Sequence, residues 1–183
     1  MKSICRLLMK LMGWKAVHGV MPHKKAIILG VPHTSAWDFV ISYLYYTSVG
    51  GTVHILIKEE FFFWPVGFFL RKSGAIPIDR SKGATVVKRA IELMNQQDEF
   101  HLAITPEGTR AKTTRWKAGF HAIAKATGAT VYLGFFDWGK KEIGWTDTLG
   151  LTDDPQDDIR RMKAYYRAKG ITGRKRGQFS FDD

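Results

Sequence analysis

The sequence predicts an α/β sandwich: one domain with a mixed, largely parallel central sheet and helices on both faces. Three observations carry this reading. Apolar or alternating runs of strand length recur at residues 26–31, 52–58, 74–79, 100–105 and 129–138. Helix-length segments lie between most of them, and strands that alternate with helices favour parallel pairing through crossovers. The chain has 183 residues, 45% of them hydrophobic, which suits one domain with a real core. No internal repeat, low-complexity tract or linker divides it, so residues 1–183 read as one unit.

The elements follow in order. MKSICRLLMKLMGW mixes Lys2, Arg6 and Lys10 with Ile4, Leu7, Leu8, Leu11 and Met12. It is too charged and too short for a secretory signal, and residues 1–20 are expected to lie on a membrane surface as a basic amphipathic helix. AIILGV (26–31) is a buried strand, and residues 35–49 are a helix rich in aromatic and β-branched side chains. TVHILIK (52–58) alternates as a strand does. FFFWPVGFFL (61–70) is broken by Pro65 and Gly67 and is shorter than the roughly 20 residues that span a bilayer. It reads either as core or as an apolar ridge in lipid, with Lys58, Arg71 and Lys72 at headgroup level, and the basic N-terminus favours the ridge. GAIPID (74–79) is a short strand. Ser81 caps a helix over about 82–97, where Val86, Val87, Ala90, Ile91 and Met94 make one apolar face. FHLAIT (100–105) is a strand that runs into PEGTR. A helix over 117–127 stops at Gly128, and ATVYLGFFDW (129–138) is a strand. Acidic 153–158 followed by basic 160–169 matches a helix dipole, which places the last helix there.

The formal charge is +11, an excess that points to an anionic partner: nucleic acid, a membrane surface or a phosphorylated substrate. The tail RAKGITGRKRGQ (167–178) reads as a solvated charge run, and no recognised RNA- or DNA-binding motif accompanies the charge, so nucleic acid is not expected. Cys5 is the one cysteine. It excludes a disulfide framework or a cysteine-based zinc site within the chain and fits a reducing compartment.

The chemistry is expected where strands end. In VPHTSAWDF (31–39), His33 and Asp38 are five positions apart, directly after a strand. Five residues is slightly more than one helical turn, so Asp38 can reach back to a histidine held ahead of the helix start. A neutral imidazole can take a proton from an alcohol attacking an acyl carbonyl, and a carboxylate on its other nitrogen fixes the tautomer. A satisfied turn histidine gives the same spacing. TPEGTR (105–110) follows a strand too, with Glu107, Gly108, Thr109 and Arg110 in a turn that carries both charge signs. Glycine allows close approach of a ligand and arginine offers a fork suited to phosphate; a surface ion pair is the plainer reading. Asp79 and Arg80 leave the strand GAIPID, as an ion pair or as a second arginine on the same rim.

Together these segments resemble a family. PHTSAWD looks like the histidine, four residues, aspartate motif of the glycerolipid acyltransferases, the 1-acylglycerol-3-phosphate acyltransferase superfamily. GAIPIDR resembles its second motif and PEGTR its third, in the same order and spacing. KEEFFFWPVG resembles the segment between the first two, with Lys58, Pro65 and Gly67 in place, and RWKAGFHAIA resembles the helix start after the third. The resemblance covers about residues 26–138. It implies a glycerol-3-phosphate acyltransferase-like fold, His33 as general base and Asp38 as its partner. It also implies that Glu107 and Gly108, with Thr109 beside them, shape the acceptor site, and that Arg80 and Arg110 bind the acceptor phosphate, with Lys58 a weaker candidate for the same anion.

The implied reaction moves a fatty acyl group from acyl-CoA or acyl carrier protein to a lysophospholipid hydroxyl, in phospholipid biosynthesis. The thioester is a co-substrate, and neither a metal nor another cofactor is expected. The implied location is cytoplasmic, peripheral on an anionic membrane face. Two departures stand out. ATVYLGFFDW lacks the proline of the family's fourth motif, and the chain lacks the long membrane-embedded N-terminal segments of many members. Two rival readings stay open: an acyltransferase whose acceptor lacks phosphate, and a non-catalytic basic protein that binds lipid or nucleic acid. That both His33 and Asp38 are present argues against the second.

Overall fold

Near-continuous apolar runs are what strands buried on both faces require. In the computed structural model, which describes residues 1–79 and 83–182, the runs AIIL and FHL occupy the middle of a seven-stranded sheet. The strands are β1 (Lys15–Val17), β2 (Lys25–Leu29), β3 (His54–Lys58), β4 (Ala75–Ile78), β5 (Phe100–Ile104), β6 (Thr130–Asp137) and β7 (Glu142–Leu149). Their spatial order is β1-β7-β6-β2-β5-β3-β4, parallel throughout except for the antiparallel β6–β7 hairpin. Ala26, Ile27 and Leu29 of β2 are fully buried. His101 is the exception in apolar β5. It is satisfied there by the Tyr46 hydroxyl at Nδ1 (2.6 Å) and the His23 carbonyl at Nε2 (2.9 Å), as a buried polar group must be.

The helices are α1 (Lys2–Leu11), α2 (Trp37–Val49), α3 (Val66–Lys72), α4 (Gly83–Asn95), α5 (Gly119–Thr127) and α6 (Pro155–Lys169). One core lies under α4, α5 and α6 and includes Met94, Phe120 and Met162. The other lies between the opposite sheet face and α1–α2 and includes Met9, Ile41 and Tyr45. α2 is apolar around most of its circumference because it is covered on two sides, by the sheet and by α1. The face foreseen on α4 packs inward as expected: Ala90 and Met94 are fully buried, with Val86, Val87 and Ile91 against the same core. α5 ends at Gly128 in the left-handed conformation, φ 69°. Asp154 caps α6 by accepting from the Gln156 N–H at 2.8 Å, with Asp157 and Asp158 in the first turn and Arg167 and Lys169 in the last.

Three differences from the sequence reading have physical reasons. The N-terminal helix ends at Leu11 rather than near residue 20, because Gly13 takes φ 75° and residues 15–17 pair with β7 as an edge strand. α1 is also not simply laid on the surface: Cys5 and Met9 are buried, while Ile4, Leu7, Leu8 and Leu11 form an exposed stripe, Leu11 at 74%. β7 carries Gly144, Thr146 and Asp147 and lacks a strand-like apolar run; its place next to β6 is set by the tight turn at 138–141. Of the two readings of the run 61–70, the exposure agrees with the favoured ridge and not with core. Phe61, Phe63, Trp64, Phe68 and Phe69 are exposed, Trp64 at 87%. Gly67 is fixed there by close approach, since a Cβ would lie 2.3 Å from the Phe62 carbonyl oxygen. Ser81, the expected cap of α4, lies outside the described residues.

Candidate active site

His33 stands four residues past β2, after the cis Val31–Pro32 peptide, and Asp38 is the second residue of α2. Asp38 is 1% exposed, and its carboxylate accepts four hydrogen bonds. On Oδ2 these come from the His33 ring Nδ1 (3.1 Å), Thr34 N–H (2.9 Å) and Ser35 N–H (2.8 Å), and on Oδ1 from the Trp138 indole N–H (2.8 Å). The acid also lies in the first turn of α2, where the helix dipole favours negative charge. A carboxylate only accepts, so Nδ1 carries a proton toward Asp38, and in the neutral ring Nε2 is the nitrogen left with a lone pair. The His33 side chain is 22% exposed, so reactants can reach it. The arrangement can therefore remove a proton from a hydroxyl at Nε2 and hold the resulting imidazolium against a fixed anion.

Glu107, three residues past β5, reaches across to the same turn. Its Oε2 accepts the His33 backbone N–H at 2.7 Å and ties the β2 and β5 loops together. Burial, and then the negative Asp38 nearby, push its carboxyl up to about 7, against the opposing pull of the His33 N–H. Gly108 has φ 65°, and a Cβ there would come within 2.9 Å of the Lys117 side chain, so the bare backbone makes room for that lysine. Thr109 turns inward on its own loop, its hydroxyl accepting from the Ala111 N–H at 3.1 Å. Thr109 and Arg110 are exposed.

The structure thus joins His33, Asp38 and Glu107 by direct hydrogen bonds, with Gly108 following in the same turn. Lys58 ends β3, two strands from β2, and stands 3.7 Å from Glu60 at the foot of the aromatic ridge, apart from the three joined residues. Arg80 lies outside the described residues. Among the described residues, no group of three His, Cys, Asp or Glu side chains is placed to hold a metal ion. Nor is any helix long and apolar enough to cross a membrane.

The model of the family described as Acyltransferase matches residues 16–132, more than half of the chain and the span that holds His33, Asp38, Lys58, Arg80 and the 107–110 turn. The chain belongs to the acyltransferase family. No curated protein matches it. Among solved structures, it is similar to the 1-acyl-sn-glycerophosphate (LPA) acyltransferase PlsC of Thermotoga maritima. That match has TM-score 0.65 and 19% identity, and covers 95% of this chain and 80% of the other. At that identity the likeness shows a shared fold, and it agrees with the mixed, mostly parallel sheet described above.

Two residues at the site of this acyltransferase escaped the sequence reading. Trp138 follows β6 directly, donates to Asp38 and meets Trp14 edge-on at 4.9 Å between ring centroids. The residue lay at the end of a run read only as a strand; its position after a strand next to β2 was the available signal, but the sequence does not reveal strand order. Arg174 belongs to the tail read as a solvated charge run. Its guanidinium donates to the Ser35 hydroxyl at 3.2 Å and lies 5.3 Å from the Trp37 ring centroid and 5.1 Å from that of Trp138.

Proposed function

We propose that this acyltransferase moves a fatty acyl group from acyl-CoA or acyl carrier protein to the free hydroxyl of a lysophospholipid such as 1-acylglycerol-3-phosphate. The observation that carries this reading is the His33–Asp38 pair: an accessible imidazole whose Nδ1 is held at 3.1 Å by a buried, four-fold hydrogen-bonded carboxylate. His33 Nε2 takes the hydroxyl proton as the acceptor oxygen attacks the thioester carbonyl. The tetrahedral intermediate then expels the thiolate, and the imidazolium returns its proton to that sulfur. One ester forms, one thioester breaks and no covalent enzyme intermediate is needed. Asp38 stabilises the imidazolium and keeps the ring in one tautomer.

Arg80 and Arg110 bind the acceptor phosphate in this reading, with Lys58 as an outer contributor. Arg110 is exposed and has no ion-pair partner among the described residues, which leaves its fork available. Glu107 and Gly108 shape the acceptor site, Glu107 by holding the His33 loop. The enzyme works as a peripheral protein on the anionic cytoplasmic membrane face. The exposed stripe of α1 and the ridge at 61–69 enter the interface there, and the charge of +11 adds attraction to anionic lipid. The test is turnover: purified protein with a panel of lysophospholipids, monoacylglycerol and lipid acceptors bearing a carboxylate, each with acyl-CoA and acyl carrier protein donors, and products read by mass spectrometry. Acylation of the phosphate-bearing lysolipids in preference to the others is expected. Preference for a phosphate-free acceptor overturns the assignment.

A further inference from the structure

The chain does not end at α6. After Gly170, residues 171–182 fold back and fasten to the site by several independent contacts. The Thr172 carbonyl accepts the Trp138 backbone N–H at 2.9 Å, and its hydroxyl donates to Asp137 at 3.0 Å. The Lys175 N–H donates to the Thr34 hydroxyl at 3.3 Å. Gly173 is packed so closely on Thr34 that a Cβ would stand 2.7 Å from its methyl group. Ile171 and Phe181 anchor the two ends of the strap in the core under α6. These contacts set Arg174 directly beside the dyad.

The surroundings of Arg174 are those of a guanidinium prepared for an anion. Two indoles, Trp37 and Trp138, offer their ring faces to it, which orients the cation without spending its donors. Among the described residues, one of its five N–H donors is used, on the Ser35 hydroxyl, and no carboxylate pairs with it. Asp38 belongs to the same network, but its hydrogen bonds come from His33, from Thr34 and from two neighbours of Arg174, Ser35 through its backbone N–H and Trp138 through its indole. The guanidinium is therefore one residue away from the carboxylate that serves His33, yet is not consumed by it. An arginine that only clipped down the tail would not need a planar fork with its edge left open.

We propose that Arg174 is a phosphate-binding residue of the acyltransferase site, supplied by the C-terminal strap and distinct from the arginines of the second and third motifs. The proposal rests on the reading that the reaction uses phosphate-bearing substrates. The phosphate chemistry fits two sources, the monoester of the acceptor or the phosphates of a coenzyme A donor, and the experiment separates them. Steady-state kcat/KM is measured for wild type, Arg174→Gln and Arg174→Lys in four arms: lysophosphatidic acid and monoacylglycerol as acceptors, each with acyl-CoA and with a phosphate-free acyl-N-acetylcysteamine thioester. Melting temperatures are recorded for all three proteins.

With Arg174→Gln, the loss in kcat/KM on the phosphate-bearing partner is expected to exceed the loss on its phosphate-free counterpart by about 10- to 100-fold, with the increase mainly in KM. Arg174→Lys recovers part of that loss, because it restores charge without the fork. Selectivity between the two acceptors assigns the acceptor phosphate, and selectivity between the two thioesters assigns the donor. Equal losses in all four arms, or none, overturn the proposal; equal losses with a lowered melting temperature leave Arg174 as a structural clip. If the wild-type protein turns over no phosphate-bearing substrate, the functional reading fails first, and this proposal falls with it.

Discussion

Glu107→Gln tests the site through its electrostatics. Glu107 is 4% exposed and its carboxyl is raised to about 7, first by burial and then by Asp38. In the unfolded chain the same group titrates near its ordinary value of 4.5. Between these two values the folded protein holds a proton that the unfolded chain has released, so the linkage slope is negative and stability falls as pH rises. The favourable contribution is complete below about 4.5 and is lost as pH passes through about 7. The gap corresponds to on the order of 3 kcal/mol. Glutamine keeps the shape, and its amide oxygen can accept the His33 N–H now held at 2.7 Å, but it does not titrate. Urea unfolding of wild type and variant at pH 5, 6, 7 and 8 gives two curves whose difference isolates this group. The variant is expected to gain steadily on wild type as pH rises, by on the order of 3 kcal/mol over the window. Parallel curves from pH 5 to pH 8 would refute the reasoning. A variant that is more stable at pH 8 yet poorer in turnover would mark Glu107 as a residue kept for function at a cost in stability.

Four further outcomes are expected. His33→Ala lowers acyl transfer by about 10²–10⁴-fold with an unchanged circular dichroism spectrum, and Asp38→Asn also falls strongly, since an amide cannot accept from all four of the donors around Asp38. Trp138→Phe removes one donor from Asp38 while keeping an aromatic ring against Trp14; kcat should drop by roughly 10-fold with little change in KM, and unchanged kcat means the indole N–H is idle. Arg80→Ala and Arg110→Ala each cost about 10- to 100-fold in kcat/KM on phosphate-bearing acceptors and far less on uncharged ones, and equal losses on both would make them structural. Leu7→Ser with Leu11→Ser weakens sedimentation with anionic vesicles by roughly 10-fold or more while the melting temperature holds, because both side chains are exposed; Cys5 and Met9 are left alone because they are core.

The parts of the fold that the sequence disclosed are those whose burial is uniform. FHL and VYLGFF are buried on both faces, AIIL is buried but for half-buried Ile28, and all three read as strands. The α4 face and the charge order of α6 were legible because periodicity and dipole chemistry are local. β1 and β7 were not legible, because an edge pair borrows its order from a neighbour: Gly144 lies so close to the Val17 carbonyl that a Cβ would meet it at 1.9 Å, and no local signal announces that contact. At the site, the five-residue spacing allowed Asp38 to reach back to His33 but a turn histidine gave the same spacing, and it was the resemblance of the ordered motifs that singled the pair out. The bond from Glu107 to the His33 backbone, and those from Trp138 and Arg174 to residues 35–38, span 74 to 139 positions and depend on strand order.

That strand order also explains why the candidate site collects where it does. From β2 the chain leaves toward β3 and β4, comes back to place β5 beside β2, and then crosses to β6 on the other side. The carboxyl ends of β6, β2 and β5 are therefore adjacent at a switch in direction, where loops diverge and leave a crevice. Each contributes one part: Trp138 after β6, His33 after β2 and Glu107 after β5. The antiparallel β7 then turns the chain away, and α6 returns it so that the strap can add Arg174 from outside the sheet. His33 and Asp38 are local to one turn and their pairing depends little on the rest of the fold. What the fold adds is the wall around them: a buried carboxyl that holds the loop, an indole that completes the Asp38 hydrogen bonds and a cation stacked against that indole. Substitutions in the turn should therefore remove chemistry outright, while substitutions in the wall should alter positioning and substrate preference in a folded, partly active enzyme.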